Sequence, residues 1–157
     1  MSYIHSVEDI SVMTLEKLGM YSDDALAMVM RTGFAETGFR HLKQMGDGPA
    51  VGFFQSEPNT INDIWVNYAL YRPNVRDCLL TLGYDESEIE YRVMSNIALQ
   101  VAFCRLQYRR DKYALPSTKD IEGQAKYWKR VYNTRLGKGT IEHFIEANKD
   151  YEPAIGI

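Results

Sequence analysis

The chain has 157 residues, a length for one compact domain. With 45% hydrophobic and 25% charged residues it can build an apolar core, which excludes a disordered chain. A net charge of −3 argues against nucleic acid or an anionic membrane surface as the main partner. Residues 6 to 18 place Val7, Ile10, Met13, Leu15 and Leu18 at helical spacing, closed by Gly19. Ser22 reads as an N-cap, with Asp23 and Asp24 in the first turn where acids suit the helix dipole. The helix that follows carries Leu26, Val29, Met30, Gly33 and Thr37 on one face.

Arg40 to Pro49 reads as a loop, with Gly46-Asp47-Gly48-Pro49 as its turn. Asn59-Thr60 opens a helix through Ile61, Ile64, Trp65, Tyr68 and Ala69, broken by Pro73. Asn74 to Leu82 forms a short helix ended by Gly83. Asp85 or Ser87 caps the next, whose pattern runs unbroken through Met94, Ile97, Val101, Ala102 and Leu106 to about Tyr108. It is the most apolar helix and the expected central element. Pro116-Ser117-Thr118 starts a helix through Ile121, Ala125, Trp128 and Tyr132, stopped by Gly137-Lys138-Gly139-Thr140. Thr140 caps a last helix, Ile141 to Ala147, and the tail 151–157 is expected to be loosely held. The expected fold is therefore mainly α, a single domain with its core in about residues 6–147 and at most a small β-hairpin around Ala50 to Ser56.

The N-terminus, Met1 to Asp9, has neither a basic region nor an apolar run, so synthesis in the cytoplasm without a secretory signal is expected. No stretch approaches the ~18 apolar residues of a membrane span. Cys78 and Cys104 both sit in apolar patterns as small hydrophobes. His5, His41 and His143 are scattered, so no metal site and no cofactor are expected. Arg105, Arg109, Arg110 and Lys112, interleaved with Tyr108 and Tyr113, read as a solvated helix end in an acidic chain rather than a nucleic-acid surface. Gly137-Lys138-Gly139-Thr140 lacks the spaced first glycine and the preceding strand of a phosphate loop.

The residue that carries chemistry is Glu36. Helical rotation of about 100° per residue puts it only about 20° from Val29, on the flank of the buried stripe in the last turn. A carboxyl half-removed from water there has a raised pKa and keeps its proton near neutrality. Breaking a glycosidic bond needs such an acid beside a sugar-binding cleft. Eleven Tyr, six Phe and two Trp offer flat faces for sugar stacking, or equally a Tyr-rich core and rim.

Two segments around this glutamate resemble those of the lysozyme-like lytic transglycosylases. Glu36-Thr37-Gly38-Phe39 is similar to that family's Glu-Ser-x-Phe. Gly52-Phe53-Phe54-Gln55-Ser56-Glu57-Pro58-Asn59-Thr60 is similar to its Gly-Leu-Met-Gln-x-x-Pro-x-Thr, and the nineteen-residue step from Glu36 to Gln55 also matches. Val131 to Gly137 is similar to the family's Tyr-Asn-Ala-Gly only at Tyr132 and Asn133, with Thr134-Arg135 in place of small residues. The pattern also resembles compact lysozyme-like proteins of tailed phages.

The resemblance implies a lysozyme-like domain that cleaves the β-1,4 bond between N-acetylmuramic acid and N-acetylglucosamine, with Glu36 as the one catalytic residue. It implies that Phe54 lines the groove and stacks on a sugar, against a plain core position. Gln55 would orient the glutamate or bond an N-acetyl group, or else tie its turn to the helix. Tyr132 and Asn133 would bond the sugar or the glutamate, or else end a helix. Asp47 and Glu57 are the nearby second carboxylates; an inverting hydrolase would need one at about 6.5–9.5 Å. The implied partner is the peptidoglycan strand, with other phage virion proteins as further partners. Carriage in a virion, or release to the wall at lysis, would bring the protein there. A muramidase, a non-catalytic virion or wall-binding component and a helical adaptor are the competing readings.

Overall fold

The computed structural model describes residues 2–134 and 137–155 and is mainly α, with eight α-helices among the described residues. Arg135 and Leu136 of the expected 131–137 segment, and Gly156 and Ile157 of the expected tail, lie outside the described residues.

Helix α1 (Ser2–Lys17) starts earlier than its apolar spacing predicts and stops before Gly19, whose φ of 69° suits a residue without a side chain. Helix α2 (Asp23–Glu36) is capped by Ser22, whose Oγ accepts the Ala25 N–H at 3.0 Å. Every residue from Ala25 to Gly33 is buried, and so is Ala35. The helix is therefore enclosed almost all round, where one buried stripe was expected. Helix α3 (Pro58–Asn67) begins with proline in its first turn, where the missing N–H leaves nothing unpaired. A 3-10 turn (Ala69–Tyr71) leads to α4 (Pro73–Thr81), and a second one (Glu86–Glu88) leads to α5 (Ile89–Met94).

The expected continuous helix from residue 85 to 108 is broken at Ser95-Asn96, so α6 is Ile97–Arg109. Asn96 makes the break. Its Oδ1 caps Leu99 N at 3.0 Å while its Nδ2 donates to Leu82 O at 2.8 Å. An asparagine amide that satisfies backbone groups outside a helix competes with helix continuation, and here it wins. Helix α7 (Ile121–Tyr127) widens into a π-helical turn (Trp128–Asn133), and α8 (Ile141–Ala147) is capped by Thr140, whose Oγ1 accepts His143 N at 3.0 Å.

Helix α6 divides the apolar interior. Val101, Cys104 and Tyr108 face a cluster with Leu26, Val29, Met30 and Trp128, while Leu99, Phe103 and Leu106 face one with Ile61, Ile64, Trp65 and Leu79. Burying each large apolar side chain contributes about 1.5–3 kcal/mol, so one helix serving both clusters couples them. Arg110, from the basic cluster, pairs with Asp63 and ties the end of α6 to α3.

β structure stays within the expected limit: around Ala50 to Ser56 there are only isolated bridges, Lys43 with Val51 and Val51 with Ser56, and no strand among the described residues. One further expectation fails. The tail is not loose where it is described. The Tyr151 hydroxyl and the Ala154 N–H donate to the Glu8 carboxylate, and the Tyr151 ring lies 4.9 Å from that of Phe34. Glu8 is 6% exposed, and a buried carboxylate needs donors, which the tail supplies.

Candidate active site

The two segments on either side of the 40–51 loop interlock. After α2 ends at Glu36, Gly38 (φ 62°) and Phe39 (φ 57°) both take the left-handed conformation and turn the chain sharply back. A phenylalanine there is strained, and contacts hold it. Its N–H donates to Thr37 Oγ1 at 3.1 Å, and its carbonyl accepts the Tyr3 hydroxyl at 2.8 Å. Its ring covers Gly33, where a Cβ would come within 2.1 Å of the ring. The ring also meets Phe53 and Phe54 edge-on at 5.5 and 5.7 Å. Thr37 Oγ1 donates to Phe53 O at 2.7 Å. The second segment is thus pinned directly to the glutamate-bearing turn.

Its other anchor is Gln100, 1% exposed, whose Oε1 accepts Phe53 N at 2.9 Å and whose Nε2 donates to Val93 O and Met94 O at 2.9 and 3.0 Å. The bare Gly52 lets that amide approach, since a Cβ would lie 2.8 Å from it. Gln55 adopts a left-handed φ of 52° and donates from Nε2 to Gly52 O at 2.9 Å.

Glu36 itself is largely removed from water. Burial pushes its carboxyl up from the ordinary 4.5 to about 7, against a smaller opposing effect from one hydrogen bond. That bond comes from Trp128, whose Nε1 donates to Oε2 at 2.9 Å. Desolvation favours the neutral acid and the indole N–H favours the carboxylate, so the group is poised near neutrality. The π-helical turn explains the arrangement. With more residues per turn than an α-helix, it carries Trp128, Tyr132 and Asn133 on one wall of the cavity, and such turns are frequent at functional sites. Gly139 carries no side chain because a Cβ would lie 2.4 Å from the Trp128 ring. The glycines of Gly137-Lys138-Gly139 are explained by this packing and not by phosphate.

Glu36 sits where two cavities meet. One, of about 590 Å³, is lined by polar groups that include Gln44, Gln55, Glu57, Thr60, Asn133 and Lys138. The other, of about 1040 Å³, opens towards α1 and the tail. Ala35, Glu36 and His143 line both.

The structure brings Glu36, Gln55, Tyr132 and Asn133 to the first cavity. It does not bring Phe54. That ring is 1% exposed and packed against Phe39, so it is a core residue and cannot stack on a sugar. Tyr132 lines the cavity but spends its hydroxyl on Phe54 O at 2.6 Å and Ser56 Oγ at 3.2 Å, holding the loop rather than the glutamate. Asn133 Oδ1 accepts the Lys129 ammonium at 2.7 Å. Of the two further carboxylates, Glu57 lines the cavity and Asp47 does not. Glu57 stands at the N-cap of α3 without capping it.

Trp128 and His143 were not legible as site residues. Trp128 occupies an ordinary core position in the helical pattern. His143 Nε2 lies 2.7 Å from Ala35 O, at the rim shared by the two cavities. Among the described residues no group of three His, Cys, Asp or Glu is arranged to hold a metal, and no helix is long and apolar enough to cross a membrane. No protein-family model, no curated protein and no solved structure matches the chain.

Proposed function

We propose that the protein cleaves the β-1,4 bond between N-acetylmuramic acid and N-acetylglucosamine as a lytic transglycosylase. The observation that carries the reading is the Glu36 carboxyl, pushed up to about 7, held by Trp128, and placed at the junction of two cavities. The two segments that resemble that family's motifs, interlocked through Thr37 and Phe53, support it further.

Glu36 starts as the neutral acid and gives its proton to the glycosidic oxygen as the C1–O bond breaks. The leaving sugar departs with a new hydroxyl, and positive charge develops at C1. The resulting Glu36 carboxylate is stabilised by the Trp128 N–H. It then takes the proton from the muramic 6-hydroxyl as O6 bonds to C1. The 1,6-anhydro ring closes, the acid is restored, and no water is consumed. Gln55 and Asn133 line the polar cavity, and in this reading the amide atoms they have left unpaired would bond sugar hydroxyl or N-acetyl groups.

The hydrolytic reading has one observation in its favour: Glu57 lines the same cavity as Glu36. A water activated there would give a reducing end in place of the anhydro ring. The experiment is digestion of purified peptidoglycan by the protein and by Glu36→Gln, with products read by mass. Anhydro-muropeptides from the wild type alone are expected. Reducing ends, together with a loss of about 10²-fold or more in Glu57→Gln, would transfer the assignment to hydrolysis. An absence of products from the folded wild type would remove both.

A further inference from the structure

The basic run at the end of α6 does not behave as one solvated patch. Arg110 pairs with Asp63, and Arg109 is exposed. Arg105 is half-buried, and its Nε and Nη1 are closed off from solvent without an acceptor. Arg105 and Arg109 stand one turn apart on the same face of the helix. Neither has a hydrogen-bond or ion-pair partner among the described residues. Burial lowers the Arg105 pKa, and the charge of Arg109 lowers it further. Tyr127, Cys104 and Tyr68 push less strongly the other way, and none of the three is a carboxylate. An arginine keeps its proton under such influences, so two like charges stand together with one of them partly removed from water. Buried charges are ordinarily paired, because leaving one unpaired is strongly destabilising. The dipole at a helix C-terminus favours cations, but it supplies no acceptor to the Arg105 fork.

Both arginines line a cavity of about 320 Å³ between the end of α6, the 111–115 loop and the start of α2. It shares no lining residue with the two cavities at Glu36. Its two carboxylates are already engaged. Asp24 Oδ1 accepts the Thr118 N–H and hydroxyl, both at 2.8 Å. Asp111 accepts both terminal nitrogens of Arg130 at 3.0 Å and the Tyr113 N–H at 3.1 Å. What remains unmatched in the cavity is therefore positive. A guanidinium fork fits a carboxylate or a phosphate. Two unpaired cations call for two negative charges on one compact group, which a phosphate dianion supplies and a carboxylate does not. We propose that this cavity binds a phosphate group, free or as a monoester, clamped between Arg105 and Arg109. The Arg105 Nη2, which is not closed off, is the nitrogen that meets it first. The site is separate from Glu36 and does not depend on the glycan-cleaving reading.

The test is an NMR titration of the whole protein with inorganic phosphate at about pH 8, where phosphate is a dianion, and at constant ionic strength. Saturable shifts in residues 105–115 and 22–24 are expected, with a Kd of about 1 mM or below. Glycerol phosphate separates the two sources: tighter binding than inorganic phosphate assigns the site to a monoester, and equal or weaker binding assigns it to free phosphate. Acetate should give no saturable shift in these residues. Arg109→Gln alters an exposed side chain with no internal partner, so it tests the site without disturbing the fold. It should weaken phosphate binding about tenfold, and Arg105→Met at least as much, because each loses a charge-assisted hydrogen bond. Three results would each overturn the proposal. One is the absence of saturable shifts with phosphate up to about 20 mM. Another is equal shifts with acetate, and the third is binding of wild-type strength in both variants.

Discussion

Trp128 Nε1 donates to Glu36 Oε2 at 2.9 Å, joining residues 92 positions apart. The contact sets the acid against two opposed influences. Removal from water holds the proton on, and the indole N–H lets it go. A residue that must give a proton and then take one back gains from both.

Activity that requires the protonated acid will fall as pH rises through about 7. Trp128→Phe removes the donor that stabilises the carboxylate, so the alkaline limb of kcat/KM is expected to move to higher pH. The rate is expected to drop about 10- to 100-fold, because a hydrogen bond to a charged group is worth about 1.5–3 kcal/mol. A limb that stays in place or moves down would show that the indole does not act on the Glu36 carboxyl.

The same carboxyl links pH to stability. Below about 4.5 the folded and unfolded chains both hold the proton. Between that value and about 7 the folded protein keeps a proton that the unfolded chain has released, so stability falls as pH rises. Above about 7 the loss is complete, at about 3 kcal/mol. The amide introduced by Glu36→Gln cannot titrate, and its carbonyl can accept the same Trp128 bond. Urea unfolding of this variant and of the wild type across the range should therefore diverge, with the variant gaining about 3 kcal/mol by the alkaline end. A constant difference would mean that the carboxyl titrates alike in both states.

Much of this arrangement was legible in the sequence. Ser22, Gly83 and Thr140 announce helix ends through local chemistry, and all three act as read. Helical rotation put Glu36 on the flank of a single buried stripe, whereas α2 is enclosed almost all round, and it is burial that raises the Glu36 carboxyl. Contacts between distant segments did not follow. For Phe54 the resemblance implied a groove-lining ring and its apolar context a core one, and the choice shows only where the left-handed Phe39 packs on it. The Asn96 break is hidden because the apolar spacing runs straight through it, while its second partner, Leu82 O, lies in another part of the chain. The donors to Glu8, Tyr151 and Ala154, lie 143 and 146 positions away, beyond any local pattern. Trp128 reads as core, and it is, apart from the one N–H that matters.

Gln100 is a further residue whose weight appears only in the folded chain. Gln100→Leu keeps the approximate volume but strips partners from Phe53 N, Val93 O and Met94 O. Buried backbone groups left unpaired are expected to destabilise the protein by about 3 kcal/mol or more. Hydrogen exchange gives the local test. The Phe53 amide should be protected in the wild type and exchange quickly in the variant. Protection that survives would mean that the loop holds without Gln100.

Gly33→Ala tests the turn that presents Glu36. Alanine favours a helix over glycine by about 1 kcal/mol, so on a free helix this change would stabilise. Here the new methyl would meet the Phe39 ring at 2.1 Å. The ring has little freedom to withdraw. It is 2% exposed and faces Phe34, Phe53 and Phe54, while its backbone is held by Tyr3 and Thr37. Overpacking of this kind costs about 1–3 kcal/mol and is expected to outweigh the helical gain. Because Glu36 lies one turn further along the same helix, the proposed cleavage should fall along with stability. Adding Phe39→Leu, which shortens the obstructing side chain, should recover part of the stability lost in Gly33→Ala. Thermal unfolding of the two variants decides the matter: a single variant more stable than wild type would mean that Phe39 does not pack on α2.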